Sequence, residues 1–126
     1  MLDHVGVWVR DLERMRAFYA RQLGGEAGRL YENARTGFRS YFISFGEGAR
    51  LELMSRPDIA DTARIPASPG YAHISLRLGA PALVDETVAR LEQAGVVIAG
   101  RPRTTGDGYY EAVIEDPEGN LVELVA

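Results

Sequence analysis

The feature that most narrows the folds open to this 126-residue chain is that its two halves read alike. "LDHVGVWV" (Leu2 to Val9) and "YAHISLRL" (Tyr71 to Leu78) each alternate apolar and polar residues, as half-buried strands do. Each carries one of the chain's two histidines, His4 and His73. In the first half "DLERMRAFYARQLGG" follows, with Asp11 placed to cap a helix. Leu12, Met15, Phe18, Tyr19 and Leu23 form its apolar stripe, and Gly24 and Gly25 stop it. Three extended stretches come next: "EAGRLYEN", "FRSYFISF" and "ARLELM", the last after the hairpin turn "GEG". In the second half "PALVDETVARLEQAG" reads as a helix with Pro81 near its start and Gly95 at its end. "VVIAG", "YYEAVIED" and "NLVELVA" are its strands, the last two joined by the turn "DPEGN".

The order β-α-β-β-β therefore occurs twice. Aligning the histidines sets "RLEL" (Arg50 to Leu53) against "LVEL" (Leu121 to Leu124), so Glu52 corresponds to Glu123. The expected architecture is α+β within one domain, residues 1–126. A first βαβββ module spans 1–54, a linker 55–70 and a second module 71–126. Their mixed sheets curve around a shared cleft with the helices outside, because modules of this kind bury each other.

Composition removes several classes of function. Net charge is −4 with no basic run, which leaves nucleic-acid binding without support. No apolar stretch approaches membrane-spanning length and no signal peptide is visible, so neither membrane insertion nor export is expected and a cytoplasmic location is the default. There is no cysteine. That excludes disulfides, a cysteine nucleophile and thiolate ligands, so any metal must be held by nitrogen and oxygen.

Glu52 and Glu123 each sit between aliphatic neighbours and alternate onto the opposite face. A carboxylate on an inward sheet face is costly unless it is paired or bound to a metal. A single strand histidine is more often a hydrogen-bonded structural residue, and a single strand glutamate is usually solvated. Four such residues at matched positions shift the balance. Two imidazoles and two carboxylates from His4, Glu52, His73 and Glu123 suit one divalent ion such as Zn, Ni, Co, Mn or Fe(II). Positions would remain open for two neighbouring substrate oxygens.

"DHVGVWVRDLERMRAFYARQLG", "LELM", "GYAHISL" and "EDPEGNLVEL" resemble the corresponding segments of the vicinal oxygen chelate superfamily, the glyoxalase/bleomycin-resistance/dioxygenase group. The resemblance covers essentially the whole chain. In the metal-binding glyoxalase I branch the ligands fall in these same four strands, and here they land on His4, Glu52, His73 and Glu123. The resemblance implies a small-molecule substrate and a homodimer, although relatives build the site either within one chain or across a dimer. It also implies that Glu123, or alternatively Glu52, serves as catalytic base. The sequence departs from the glutathione-using pattern: Trp8 and Pro69 stand where arginines commonly lie, and Arg56 where an asparagine often does.

Three readings follow. The first is a metal-dependent lyase or isomerase similar to glyoxalase I (lactoylglutathione lyase-like), in which the metal acidifies the C–H between two chelated oxygens and a glutamate moves the proton. The second is an Fe(II) ring-cleaving dioxygenase, against which a fourth ligand at Glu52 counts. The third is a non-catalytic drug- or toxin-binding resistance protein, with Trp8, Tyr41, Tyr109 and Tyr110 lining an apolar cleft, though most of these aromatics are expected to be core or cleft wall. Trp8, Arg39, Tyr41, Met54 and Tyr110 are the candidate substrate contacts. With no arginine at positions 8 and 69, a smaller or more apolar oxygen-chelating ligand is expected in place of a glutathione adduct.

Overall fold

A computed structural model describes residues 1–65 and 67–126. Pro66, inside the segment read as a linker, lies outside the described residues. The chain divides into two units, Met1–Thr62 and Ala63–Ala126.

The first unit runs β1 (His4–Trp8), α1 (Leu12–Arg21), β2 (Glu26–Ala27), β3 (Tyr31–Asn33), β4 (Phe38–Ser44) and β5 (Arg50–Ser55). Its mixed sheet has the order β1-β5-β4-β2, with β3 also paired to β4, and β1 parallel to β5. Helix α1 starts where the sequence reading places it. The Asp11 side chain accepts from the Arg14 N–H at 2.9 Å, satisfying one of the amides a helix start leaves open. The helix ends earlier than the apolar stripe suggested. Gln22 is the cap and donates to the Phe18 carbonyl at 2.8 Å, leaving Leu23 half-buried beyond the last turn. Leu12, Met15, Phe18 and Tyr19 are buried, as are Ile43, Leu51 and Leu53 on the sheet beneath α1.

"EAGRLYEN" forms two short strands where one was expected. Ala27 lies opposite Ile43 but Tyr31 lies opposite Ser40, so this side of the ladder holds one residue too many. Such an excess is a bulge, which interrupts pairing and bends the strand.

The second unit runs β6 (His73–Arg77), α2 (Pro81–Gln93), β7 (Ile98–Thr104), β8 (Tyr110–Glu115) and β9 (Leu121–Val125), with sheet order β6-β9-β8-β7 and β6 parallel to β9. This is the strand scheme of the first unit again, and α2 packs on β7, β8 and β9 over Val84, Val88, Leu91, Ala112, Ile114, Val122 and Leu124. Strand β7 continues beyond Gly100 through Pro102, further than the sequence reading took it. As the edge strand it tolerates a residue without an N–H, and its register shifts between Ile98, Gly100 and Arg103. The turn before β9 is built around Asp116, only 4% exposed. One of its oxygens accepts from the Glu118 and Asn120 N–H groups, both at 2.9 Å, and the other accepts from the Asn120 amide at 2.8 Å. Gly119 supplies the left-handed backbone there, with φ of 82°.

The segment after β5 is tied to the first unit, since Arg10 pairs with Asp61 at 2.8 Å and donates to the Thr62 carbonyl. Among the described residues no helix is long and apolar enough to cross a membrane.

Candidate functional site

Residues directly opposite one another in a ladder share a face of the sheet. In the first unit His4 pairs with Arg50, Gly6 with Glu52 and Trp8 with Met54, while Phe42 faces Glu52 from the other side. His4 and Glu52 are therefore one row apart on one face, and His4 Nε2 lies 3.6 Å from Glu52 Oε2. In the second unit His73 pairs with Leu121 and Ser75 with Glu123, which reproduces the same diagonal. His73 Nε2 again lies 3.6 Å from Glu123 Oε2. The repeat holds at the level of hydrogen-bond register as well as element order.

A separation of 3.6 Å is too long for a hydrogen bond. It is shorter than the ~4.2 Å limit for two donors that each bond one ion at about 2.1 Å, so either pair fits a shared divalent metal. The glutamates are largely shielded, at 15% and 16% side-chain exposure, whereas the imidazoles are open at 40% and 44%. Among the described residues, no three His, Asp or Glu side chains are grouped so as to hold a metal ion. Each unit by itself offers a pair.

The surroundings of the pairs differ. His4 Nδ1 donates to Asp3 Oδ2 at 2.7 Å, and Arg50 donates to the same oxygen at 2.8 Å. These two partners, the imidazole first, hold the Asp3 carboxyl below its ordinary pKa. A carboxylate can only accept, so Nδ1 carries a proton, and Nε2 is the ring nitrogen turned toward Glu52. The Arg50 guanidinium also lies 4.3 Å from the Phe42 ring centre, and that ring meets His4 edge-on at 5.2 Å. At the second pair the residue before His73 is Ala72, and support falls on the other member. Glu111 of β8 lies diagonally across the ladder from Glu123 and 3.3 Å from Arg103 of β7. Burial, then the neighbouring Glu123, pushes the Glu111 carboxyl up from its ordinary pKa.

The candidate substrate contacts divide by face. Trp8 and Met54 share the His4–Glu52 face. Gly6 makes room for Met54 there, since a Cβ on Gly6 would sit 2.7 Å from the Met54 methyl. Phe38 and Tyr31 continue the same face, with ring centres 6.1 Å from Trp8 to Phe38 and 6.0 Å from Phe38 to Tyr31. Arg39 and Tyr41 lie on the opposite face, toward α1. Tyr41 donates to Glu13 at 2.8 Å, while Arg39 pairs with Glu32 at 3.2 Å and reaches Glu13 at 3.8 Å. Tyr110 is likewise on the α2 side of its sheet and donates to Asp85 at 2.7 Å. The reason is the two-residue period of a strand: the neighbours of a residue on the ligand face necessarily point to the helix. Tyr109 is half-exposed before β8. Asp3, Arg50, Glu111 and Arg103 carried roles the sequence reading missed. A carboxylate directly preceding His4 was the one visible signal; Glu111 emerges only once β8 is registered on β9.

The family model of the Glyoxalase/Bleomycin resistance protein/Dioxygenase superfamily matches residues 1–124, and the chain belongs to that superfamily. It is 30% identical to a lactoylglutathione lyase of Salmonella typhimurium, over 98% of this chain and 90% of the relative. It is 26% identical to a probable lactoylglutathione lyase of Vibrio cholerae, over 97% and 87% of the two chains. Among solved structures it is similar to the trypanothione-dependent glyoxalase I of Leishmania major, with a TM-score of 0.80 and 25% identity over 99% of this chain and 85% of that one. Two helices with two mixed sheets make the α+β, glyoxalase-like fold that the sequence led us to expect.

Proposed function

We propose that this protein is a metal-dependent lyase or isomerase of the glyoxalase I type, acting on a small substrate held through adjacent oxygens. The observation that carries the reading is the duplicated His–Glu pair, set in the same register in both units and separated by 3.6 Å in each. His4, Glu52, His73 and Glu123 together supply the two-nitrogen, two-oxygen donor set for one Zn, Ni, Co, Mn or Fe ion. A divalent ion bound there would polarise the substrate oxygens and acidify the C–H between them. Glu123 is the base in this proposal, with Glu52 as the alternative. Each described unit offers two of the four donors, and in this proposal two such pairs complete the set, from one chain or from the two copies of a homodimer.

The substrate in this reading is smaller or more apolar than a glutathione adduct. Trp8 and Pro69 offer no charged donor, and the arginines that could compensate are engaged: Arg39 with Glu32, Arg50 with Asp3 and Arg56 with Asp58. At about 1.5–3 kcal/mol for each hydrogen bond to a charged group, two missing contacts weaken binding by roughly two to four orders of magnitude. Turnover of the glutathione–methylglyoxal hemithioacetal is accordingly expected to be poor.

The test is metal content of the purified protein beside His4→Ala and His73→Ala. Both variants should lose metal and melt lower than the metal-loaded protein, because metal binding favours the folded state. Mixing the two variants should restore part of the binding if donors come from two copies. Unchanged metal content in both sinks the reading. Glu123→Gln should keep the fold yet lose at least about a hundredfold of hydrogen–deuterium exchange at the carbon of an α-hydroxycarbonyl compound, the usual effect of removing a positioned base.

The aromatic run Trp8–Phe38–Tyr31, with Trp8 and Tyr31 about half exposed, favours a second reading, in which the face sequesters a planar ligand without chemistry. Tight ligand binding with no exchange in the unmodified protein would select it.

A further inference from the structure

We propose that Arg77 sets substrate specificity by gripping an anionic group, a carboxylate or a phosphate, a few bonds beyond the chelated oxygens. The inference rests on the metal-site reading above and names a substrate class for it. Five arginines lie in strands, and four of them meet a carboxylate. Arg39 pairs with Glu32 at 3.2 Å, Arg50 with Asp3 at 2.8 Å, Arg101 with Glu92 at 2.8 Å and Arg103 with Glu111 at 3.3 Å. Arg77 is the fifth. Among the described residues its side chain has no hydrogen bond, ion pair or ring contact.

Register puts Arg77 beside the second His–Glu pair. His73, Ser75 and Arg77 alternate onto one face of β6, the face that carries Glu123, and all three are exposed. Ser75, opposite Glu123, is too small to block the way from the imidazole to the arginine. The row beyond it runs Arg77, Val125, Glu111, Arg103 across the sheet. Glu111 is the one carboxylate in that row and is engaged by Arg103, while the buried Val125 stands between it and Arg77. Four residues of strand separate Arg77 from His73, about 13 Å between Cα atoms. An arginine side chain covers much of that span, so an anion it holds lies a few bonds from oxygens bound beside His73 and Glu123. The matched position of the first unit holds Trp8, which has no charge. A guanidinium offers two parallel N–H donors to a carboxylate or phosphate, and an exposed one without a partner keeps both available. One such residue serves one anionic group, fewer than the two carboxylates of a glutathione adduct.

The experiment measures binding to Zn²⁺-loaded wild type, Arg77→Ala and Arg77→Lys by calorimetry, with two matched pairs of probes. α-Ketoglutarate and α-ketovalerate share their chelating oxygens and differ in a distal carboxylate. Dihydroxyacetone phosphate and dihydroxyacetone differ in a phosphate. Wild type should bind the charged member of at least one pair roughly ten- to a hundredfold more tightly, as one hydrogen bond to a charged group allows, and the responding pair identifies the anion. Arg77→Ala should bring that ratio close to one. Arg77→Lys should keep part of it, since a point charge attracts without the fork. Zn²⁺ affinity and thermal melting should match in all three proteins, which separates loss of the grip from loss of the site or the fold. No preference in wild type for either charged probe, or a preference that survives in Arg77→Ala, would overturn the proposal. Undiminished Zn²⁺ binding by Glu123→Ala would remove the metal-site reading and this inference with it, an outcome distinct from failure at Arg77 alone.

Discussion

The two units share a strand scheme, a helix placement and a His–Glu diagonal, yet the row of side chains beside that diagonal could hardly differ more. In the first unit it reads Trp8, Met54, Ser40, Tyr31; in the second, at the same ladder positions, Arg77, Val125, Glu111, Arg103. One half presents aromatic and thioether surface and the other presents charge. The support of the pair is divided in the same manner, since Asp3 and Arg50 brace the histidine of the first pair and Glu111 and Arg103 flank the glutamate of the second. The two units share register and the His–Glu diagonal. They differ at the neighbouring positions, where a different side chain alters the surroundings of the pair and leaves the ladder intact.

The comparison can be broken first in the core. Leu53 and Leu124 follow the two glutamates, occupy equivalent positions and are both 0% exposed. Leu53→Ala and Leu124→Ala should each cost about 2–5 kcal/mol in chemical denaturation, and by similar amounts if the halves are structurally equivalent. A large inequality would mean that one unit dominates the stability of the chain. A smaller effect is expected at the brace of the first histidine. Asp3→Ala should lower metal affinity about tenfold or more by releasing the His4 ring and its tautomer. Ala72→Asp, which offers His73 the same partner, should raise affinity or leave it unchanged. Equal affinity in Asp3→Ala and wild type would show that the brace does not reach the metal.

The smallest effects belong to the tethers between strand and helix. Tyr41 and Tyr110 each donate to a helix carboxylate, and that hydrogen bond is the main cause raising both phenol pKa values. A raised pKa contributes stability that is present below about pH 10 and lost as pH rises through the folded value. Tyr41→Phe should therefore flatten the alkaline limb of the stability profile. It should flatten the acid limb as well, because the hydrogen bond from Tyr41, then that from Arg16, holds the Glu13 carboxyl down. That contribution is present above about pH 4.3 and lost as pH falls through the lowered folded value. With Glu13 half-exposed and screened by solvent, the Tyr41→Phe cost should stay below about 1 kcal/mol. Tyr110→Phe should change the alkaline limb alike; an alkaline limb unchanged in both variants would show that neither tether matters.

What the sequence by itself determined is local or periodic. The Asp11 cap, the Pro81 start, the Gly95 stop and the "DPEGN" turn follow from backbone chemistry within a few residues, and the structure has each in place. The repeat was legible for the same reason, since period-two and period-3.6 patterns survive in one dimension. So were His4, Glu52, His73 and Glu123 as matched positions. The tertiary structure decided everything that depends on which strand lies beside which. It split "EAGRLYEN" with a bulge and carried β7 through Pro102, because pairing partners and edge position are properties of the assembled sheet. It turned Arg39, Tyr41 and Tyr110 toward the helices, because a residue's face is set by the parity of its register and not by its chemistry. It also brought Arg103, Glu111 and Glu123 together from three strands. No spacing along the chain announces that contact; only hydrogen bonding between β7, β8 and β9 creates it.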